Sequence, residues 1–252
     1  MSVTDDDDAA RARAGLERLL DDAPAIATGL PAAFFDSAQR FVSLLLSANR
    51  RVNLTRITAP EQIARDHLLD ALAALPLLDR WAPDQVVDLG SGGGIPAIPL
   101  ALARPDVRWT LVDSVGKKAA VLRDFAEALG MRNVAVLAER AETLGRDPRH
   151  RARYAIATAR ACAPLPVLAE LALPLMRIGG SLLAWKGPLD EHDDEVRRGG
   201  IALGEVGGGK PRIVGAGLAA LGERCFVVAA KERATPPRLP RRPGEPGRRP
   251  LG

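Results

Sequence analysis

Apolar and polar residues follow one pattern before residue 81 of this chain and another after it. In the first part, apolar residues recur at the three- and four-residue spacing of amphipathic helices. In the second part, short apolar runs alternate with helical stretches, which predicts an α/β fold with a doubly wound, mostly parallel sheet. The pattern divides the chain into an N-terminal helical extension, a core and a C-terminal segment, at residues 1–80, 81–233 and 234–252.

The extension is predicted to contain helices over Arg11–Leu20 and Pro31–Ala48, and a third that runs to about Leu75. The third begins at Thr58-Ala-Pro-Glu61, which has the spacing of a capping box. A helix over Val115–Leu129 follows the second strand of the core. The predicted strands are Gln85–Leu89, Trp109–Val112, Val134–Leu137, Tyr154–Thr158, Ser181–Trp185, Ile201–Glu205 and Cys225–Ala230.

A glycine-rich turn follows the first predicted strand. The run DLGSGGGIP begins at Asp88 and places Gly90, Gly92 and Gly94 at alternate positions. Glycines there let the backbone turn sharply and approach a ligand closely. The dinucleotide fingerprint GxGxxG does not fit, because Ile95 stands where its third glycine would be, and the lysine of a P-loop is missing. The turn instead resembles motif I of the S-adenosylmethionine-dependent methyltransferases.

An acid, Asp113, follows the second predicted strand. It lies roughly 20 residues beyond the glycines, where a carboxylate can accept hydrogen bonds from both hydroxyls of a ribose. Capping the next helix, together with Ser114, is the alternative role. S-adenosylmethionine carries a ribose and no phosphate, so the turn and the acid together predict a nucleoside cofactor.

Polar or glycine residues follow several strands of the predicted sheet. The carboxyl ends of parallel strands share one edge, and ligands bind in the crevice there. We therefore expect one crevice to be formed by Gly90, Asp113, Glu142, Arg160 and Lys186.

Composition indicates a globular protein of a reducing compartment. Of its 252 residues 47% are hydrophobic, and no stretch approaches the ~18–20 apolar residues of a membrane span. Aspartates stand at positions 5–8, where a secretory signal would carry positive charge. Cys162 and Cys225 have neither metal-ligand nor disulfide spacing. We expect a cytoplasmic location, no membrane contact and no metal.

Positive charge is concentrated in two segments. Pro236–Gly252 holds five arginines and one acid, a balance of +4 that equals the net charge of the whole chain. Its proline, arginine and glycine residues predict an extended segment without a packed core. The second segment is the arginine-rich run 146–153. Either can contact RNA phosphates or form a solvated surface.

Taken together, the motifs from about Phe34 onward resemble the ribosomal RNA small subunit methyltransferase G family, also called glucose-inhibited division protein B. The resemblance implies a class I Rossmann-like fold, S-adenosylmethionine as cofactor, and methylation at N7 of a guanine in the decoding-region loop of 16S ribosomal RNA. The motifs that carry it are Asn53–Thr55, Asp66–Asp70, Asp88–Pro96, Leu111–Lys118, Arg140–Glu142, Thr158–Ala161, Lys186–Gly187 and Pro240–Pro250.

The resemblance also implies roles for individual residues. It places the cofactor against Gly90 and Ile95, with the adenine near Ala141 and Glu142 and a further contact from Arg160.

N7 of guanine has a lone pair and no proton, so a methyltransferase acting there needs no general base. Its task is to position N7 against the methyl group, which supplies roughly 7–11 kcal/mol. Arg160 can hold the guanine O6 or a phosphate, or pair with Glu142 or Asp113. The other candidates have structural alternatives: packing for the histidine, a helix end for the asparagine and an exposed strand end for the lysine. The candidate positioning residues are Arg160, Lys186, Asn53 and His67.

The expected partner is small-subunit ribosomal RNA or a ribosomal particle, and we expect a monomer. Two other functions stay open. One is an S-adenosylmethionine-dependent methyltransferase acting on another RNA, a protein or a small molecule, for which loss of Pro236–Gly252 should change nothing. The other is a non-catalytic RNA-binding assembly factor, which would not bind S-adenosylmethionine.

Overall fold

The computed structural model describes residues 3–252, and its centre is a seven-stranded sheet. In chain order the strands are β1 (Gln85–Leu89), β2 (Arg108–Val112), β3 (Val134–Leu137), β4 (Tyr154–Arg160), β5 (Met176–Lys186), β6 (Arg212–Gly215) and β7 (Cys225–Ala230). They lie in the order β3-β2-β1-β4-β5-β7-β6. Strands β1 to β5 are parallel, and β7 is antiparallel to both of its neighbours. The predicted doubly wound, mostly parallel sheet is confirmed.

Helices precede the sheet and connect its strands. A π-helical segment, Ile63–Leu69, joins the fourth helix to the fifth. None of the helices within residues 3–252 combines the length and the apolar character that crossing a membrane requires. The helices are α1 (Val3–Asp21), α2 (Pro24–Ala27), α3 (Phe34–Asn49), α4 (Pro60–Gln62), α5 (Asp70–Leu72), α6 (Leu75–Trp81), α7 (Ala97–Ala103), α8 (Gly116–Ala128), α9 (Ala141–Leu144), α10 (Leu165–Ala172), α11 (Asp194–Val206) and α12 (Glu245–Arg248).

Each face of the sheet buries its own hydrophobic core. Successive side chains of a strand point to opposite faces, so Val86 and Ile156 enter one core while Val87 and Ala157 enter the other. The first core also holds the buried residues of α1, α3 and α7, and the second holds those of α10 and α11. The helices therefore cover both faces and leave the strand ends open.

The N-terminal helices share the first core with the sheet. The buried stripe of α1 includes Ala12, Leu16 and Leu20, at helical spacing. In α3, Phe41 packs edge-to-face on Phe125 of α8, with 5.8 Å between ring centroids. Such a contact contributes about 0.5–1.5 kcal/mol beyond the buried area, and it ties the N-terminal helices to the helix after β2.

Two expectations about individual elements were wrong. Residues 201–205 belong to α11 and not to a strand, because the buried residues of that stretch (Val196, Ala202 and Leu203 among them) follow a helical period while Ile201 is exposed. The strand that pairs with β7 at one edge of the sheet is β6, which was not predicted. The capping box at Thr58 does not form: Ala59 is the N-cap residue of α4 and no side chain caps it.

The expectation of an unpacked C-terminal segment was also wrong. Leu239, Pro240 and Pro246 are buried. Two arginines of the run 146–153 hold the segment by its backbone: Arg151 donates to the carbonyl oxygen of Leu239 at 2.9 Å, and Arg146 Nε donates to that of Pro240 at 2.8 Å. These guanidinium groups therefore bind the protein's own main chain.

Candidate active site

The glycine-rich turn after β1 has a backbone that requires glycine. Gly90, Gly92 and Gly94 have φ angles of +67°, +53° and +87°, in the left-handed region that other residues rarely adopt. A Cβ at Gly90 would lie 2.8 Å from Cys162 Sγ, and one at Gly94 would lie 2.5 Å from Ile98 Cδ1. The main chain of the turn thus packs directly on its neighbours.

Asp113, at the end of β2, fixes this turn. Its Oδ2 accepts a hydrogen bond from Gly92 N–H at 2.9 Å, and its Oδ1 accepts one from Val115 N–H at 2.8 Å. The second bond orders the chain just before α8, but it is not a helix cap: Val115 is the N-cap residue and no side chain caps the helix, so the alternative capping role of Asp113 was wrong. A carboxylate has about four acceptor positions, so Asp113 keeps capacity for a ligand hydroxyl.

A cavity of about 480 Å³ lies at the carboxyl ends of β1 and β2. It brings together four of the predicted cofactor residues, while Gly92, Gly94, Ile95 and Arg160 are not among the residues that line it. The lining residues are Leu89, Gly90, Val112, Asp113, Ser114, Glu139, Arg140, Ala141, Glu142, Cys162, Ala163, Pro164, Val167, Leu171, Gly244, Pro246, Gly247 and Pro250. We call this cavity the cofactor pocket.

Gly93 and Ile95 pack against the core that contains the N-terminal helices. A Cβ at Gly93 would lie 3.2 Å from Leu45 of α3, so the turn packs on the N-terminal helices. Ile95 is half-buried against the same core. These residues shape the turn whose front side, at Gly90, faces the pocket.

Asp88 is a buried acid beneath the turn. Thr158 Oγ1 donates to its Oδ1 at 2.6 Å, whereas its Oδ2 has no hydrogen-bond partner among residues 3–252. Burial raises the pKa of Asp88 to about 6. The group therefore carries its negative charge at neutral pH at an energetic cost, directly beneath the glycine-rich turn.

Two further pocket residues, Glu142 and Cys162, make contacts within the protein. Glu142 is buried, and its Oε1 accepts a hydrogen bond from Gly244 N–H at 2.8 Å. Cys162 is exposed as a residue, but its sulfur lies close to Gly90, and burial of the sulfur raises the pKa of the thiol to about 11. A protonated thiol is a weak nucleophile at neutral pH.

A second polar group of residues lies beside the pocket, and we call it the Asp70 cluster: His67, Asp70, Arg160 and Arg224. Asp70 is fully buried between the two arginines, 3.0 Å from Arg160 Nη1 and 2.6 Å from Arg224 Nε. These are ion pairs without the angles of good hydrogen bonds. The alternative pairing of Arg160 with Glu142 or Asp113 was wrong: Arg160 pairs with Asp70, the first residue of α5.

His67 is packed inside the protein. Its Nε2 lies 2.8 Å from Thr55 Oγ1, and its Nδ1 lies 3.4 Å from Arg160 Nη2. Burial, followed by the charge of Arg160, lowers the pKa of His67 to about 4. The imidazole is neutral at physiological pH. It can hold Arg160 and the 53–55 loop in place, and it is poorly suited to proton transfer.

The other two positioning candidates occupy different surroundings. Lys186, at the end of β5, pairs with Glu195 of α11 and donates to the carbonyl oxygen of Ala163 at 3.2 Å. Ala163 lines the cofactor pocket, so Lys186 adjoins it. Asn53 is exposed, and its side chain has no hydrogen-bond partner within residues 3–252. Neighbouring Asn49 orders that loop by accepting from Leu54 and Thr55 N–H groups.

Sequence reasoning missed Arg224, Glu195 and the pocket-lining residues of the C-terminal segment. Arg224 and Glu195 belong to no motif: Arg224 pairs with the distant Asp70 and Glu195 with Lys186, and neither pair has a recurring spacing that the sequence would reveal. The segment did carry a signal: its proline- and glycine-rich run is one of the motifs on which the resemblance rests.

Comparison with known proteins identifies the family. The family model GidB, described as rRNA small subunit methyltransferase G, matches residues 35–204. The chain belongs to this family. It is 45% identical over 221 residues to a ribosomal RNA small subunit methyltransferase G of Deinococcus deserti, covering 87% of this chain and 90% of the relative. It is 43% identical over 237 residues to one from a Roseiflexus species, covering 94% and 100%.

Solved structures with a similar fold are methyltransferases of low sequence identity. The S-adenosylmethionine-dependent methyltransferase SibL in its apo form is 17% identical with a TM-score of 0.52, covering 80% of this chain and 77% of that one. The CMeT domain of citrinin polyketide synthase is 15% identical with a TM-score of 0.53, covering 86% and 69%. They support the class I Rossmann-like fold.

Proposed function

We propose that this protein transfers a methyl group from S-adenosylmethionine to N7 of a guanine in the decoding-region loop of 16S ribosomal RNA. The observation that carries the proposal is the cofactor pocket, which joins Gly90, Asp113, Ala141 and Glu142 in a chain of this family. The substrate is small-subunit ribosomal RNA, free or in a ribosomal particle, and the protein acts as a cytoplasmic monomer.

The residues present fit the cofactor. The pocket volume of about 480 Å³ lies in the range of small-molecule sites. The Asp113 carboxylate suits the ribose hydroxyls, and Gly90 offers main-chain contact without a side chain in the way. S-adenosylmethionine supplies an electrophilic methyl group on a positively charged sulfur. The negative charge of nearby Asp88 and Asp113 favours binding of such a cation.

The protein's own contribution is positioning. Guanine N7 attacks with a lone pair and releases no proton, so the site requires no base. This agrees with a neutral, packed His67 and a protonated Cys162. We infer that Arg160, held by Asp70 and His67, contacts guanine O6 or a phosphate and leaves N7 free. Lys186 and Asn53 complete the RNA side of the site.

Exposed arginines beside the pocket support RNA as the substrate. Arg140 lines the pocket and is exposed. Arg248 and Arg249 are exposed and lie in sequence between the pocket residues Gly247 and Pro250. Guanidinium groups at this rim can bind the phosphates on both sides of a target base.

The test is methyl transfer from labelled S-adenosylmethionine to small-subunit ribosomal RNA, offered free and as the 30S particle, followed by mapping of the modified nucleotide. We expect a single 7-methylguanosine in the decoding-region loop. The matched pair of variants is Arg160→Ala, which should lose most of the activity, and Arg132→Ala, on the exposed opposite edge of the sheet. Methylation at another atom or on another RNA would overturn the substrate, and no transfer at all would overturn the activity.

A further inference from the structure

The C-terminal segment, residues 234–252, is fastened to the core along its whole length. Its start is held by Lys231, a buried lysine whose Nζ contacts Thr235 Oγ1 and the carbonyl oxygen of Val206. Further along, the side chains of Arg146 and Arg151 donate hydrogen bonds to the carbonyl oxygens of Pro240 and Leu239. At its other end, Arg198 Nε donates to Gly252 O at 3.1 Å. A segment of its composition is held in place by these contacts and not by a core of its own.

The strongest of these contacts is a buried ion pair. Glu170 of α10 is 0% exposed, and Arg241 is its partner. Arg241 Nε donates to Oε1 at 2.9 Å, Nη2 donates to Oε2, and the backbone N–H of Arg241 donates to Oε1 at 2.7 Å. The two-pronged guanidinium geometry is one that lysine cannot reproduce. Loss of Arg241 would leave a buried carboxylate without its cation, so this pair fixes the segment's position.

The segment then becomes part of the cofactor pocket. Gly244, with φ of +80°, turns the chain so that its N–H reaches Glu142 Oε1. From that turn onward Gly244, Pro246, Gly247 and Pro250 line the pocket. Glu142 lines it as well, so one hydrogen bond joins two walls of the same cavity.

The chemistry of this wall suits a flat aromatic ligand. Proline rings are stiff and apolar, and glycines between them let a ligand approach the main chain. The wall lies against residues 139–142, which follow β3, and so at the end of the pocket away from the Gly90 turn. Pro246 and Pro250 of the wall, together with Ala141, offer apolar surface to a purine, while Glu139, Arg140 and Glu142 supply polar groups around it.

We propose that the C-terminal segment is the wall of the cofactor pocket that packs against the purine, and that Glu170 and Arg241 are positioning residues that hold this wall. The inference rests on the proposed cofactor but not on the RNA substrate. When the segment is released, only the fraction of molecules with a closed wall binds the cofactor tightly, and the apparent affinity falls by that fraction.

The test is calorimetric binding of S-adenosylhomocysteine to the full-length protein. We expect Arg241→Ala to weaken binding at least tenfold and Arg241→Lys to give an intermediate loss. Arg242→Ala, which removes the exposed neighbouring arginine, should stay within twofold of the parent. The loss for Arg241→Ala should be equal with 5′-methylthioadenosine, which keeps the adenosine and lacks the amino-acid group.

A second, independent variant changes a residue of the wall and leaves the Glu170–Arg241 ion pair intact. Pro246→Ala should weaken binding severalfold, while Pro237→Ala, at an exposed position that does not line the pocket, should not. Limited trypsin digestion measures the release of the segment directly: S-adenosylhomocysteine should protect the bond after Arg248 in the parent and not in Arg241→Ala, with the thermal transition of the core retained.

Unchanged affinity in Arg241→Ala and Pro246→Ala, with the segment cleaved rapidly in both, would overturn the inference. A loss seen only with S-adenosylhomocysteine would also overturn it, because the wall would then face the amino-acid end. Failure of ribosomal RNA methylation by a parent protein that binds the cofactor would overturn the proposed function and leave this inference standing.

Discussion

At the scale of single residues, Asp113 and His67 show how position determines chemistry. Asp113 uses both oxygens to order the Gly92 turn and the start of α8 before it meets any ligand. His67 is the histidine of a family motif, yet burial keeps it neutral and its ring nitrogens face Thr55 and Arg160. We propose that Asp113 holds the ribose of the cofactor, whereas His67 holds Arg160.

Replacing Asp113 by asparagine should weaken S-adenosylhomocysteine binding about tenfold or more, since hydrogen bonds to a charged acceptor contribute roughly 1.5–3 kcal/mol. Calorimetry checks this, with Asp124→Asn on the exposed side of α8 as the matched control. The loss should be smaller for the 2′-deoxy form of the ligand. Equal losses for both ligands would mean that Asp113 only shapes the turn.

His67 gives a pH dependence with a definite sign. Its pKa is about 4 in the folded protein against 6.5 for the free side chain, so the unfolded chain binds more protons between these values. The contribution of neutral His67 to the free energy of unfolding is fully present above pH 6.5 and is lost as the pH falls toward 4. The expected loss between pH 7.5 and pH 5 is about 2 kcal/mol.

Urea unfolding of the parent and of His67→Gln at both pH values measures this difference. The raised pKa of Asp88 acts in the opposite direction, with stability lost as the pH rises from about 4 toward 6. Because Asp88 is present in both proteins, its effect cancels in the comparison. Parallel pH curves for the two proteins would show that the imidazole is not buried in neutral form.

At the scale of elements, the turn after β1 depends on glycine for conformation as well as for space. Gly94→Ala places a Cβ at φ +87° and 2.5 Å from Ile98 Cδ1. We expect the free energy of unfolding to fall by about 2 kcal/mol, because alanine disfavours the left-handed backbone conformation and its Cβ would crowd Ile98. Thermal and chemical unfolding check it.

The control for that substitution is Gly116→Ala at the start of α8. A Cβ there meets nothing within 4 Å, and Gly116 has no positive φ. Alanine should leave stability unchanged or raise it by up to about 1 kcal/mol. A similar loss in both variants would contradict the role given to the turn.

The elements show where sequence patterns succeed. Strands β1, β3 and β7 were predicted with the observed bounds, because each contains a short apolar run next to turn residues. Residues 201–205 resembled such a run but continue a helix, whose buried positions are visible only over three turns. Strand β6 was not predicted, because only its two central residues, Ile213 and Val214, are apolar.

The candidate site was predictable where it depends on local motifs. Gly90, Asp113, Ala141 and Glu142 line one cavity as the strand-end argument and the resemblance implied. Arg160 was also expected to line this cavity, but it pairs with Asp70. The sequence analysis identified Asp70 as part of a motif and predicted no partner for it. The wall from the C-terminal segment was not predicted, since its contacts join residues about 70–100 positions apart and composition alone suggested a solvated chain.

At the scale of the whole molecule, one edge of the sheet collects the cofactor pocket, the Asp70 cluster and the C-terminal segment. The N-terminal extension packs on the glycine turn through Leu45 of α3 and Leu54 of the loop that follows α3. The segment has two sides: its glycines and prolines line the pocket, while Arg242 and Arg249 remain exposed. This arrangement places exposed arginines next to the cofactor pocket, where we propose that they contact RNA.

RNA binding should therefore depend on salt through the segment. Arg242→Ala combined with Arg249→Ala should reduce the slope of log affinity against log salt by about 1.4, or 0.7 for each single-strand phosphate contact. Fluorescence anisotropy with the decoding-region RNA measures it. The control is Arg108→Ala with Arg132→Ala at the other edge of the sheet. Equal slopes for the parent and the Arg242/Arg249 double variant would exclude the segment from RNA contact.

The most direct measurement is a crystal structure of the full-length protein with S-adenosylhomocysteine. The ligand is expected with its ribose hydroxyls on Asp113, its main-chain contact at Gly90 and its purine between Ala141 and Pro246. A ligand bound elsewhere, or one whose purine lies in solvent with the C-terminal segment displaced, would contradict this description of the site.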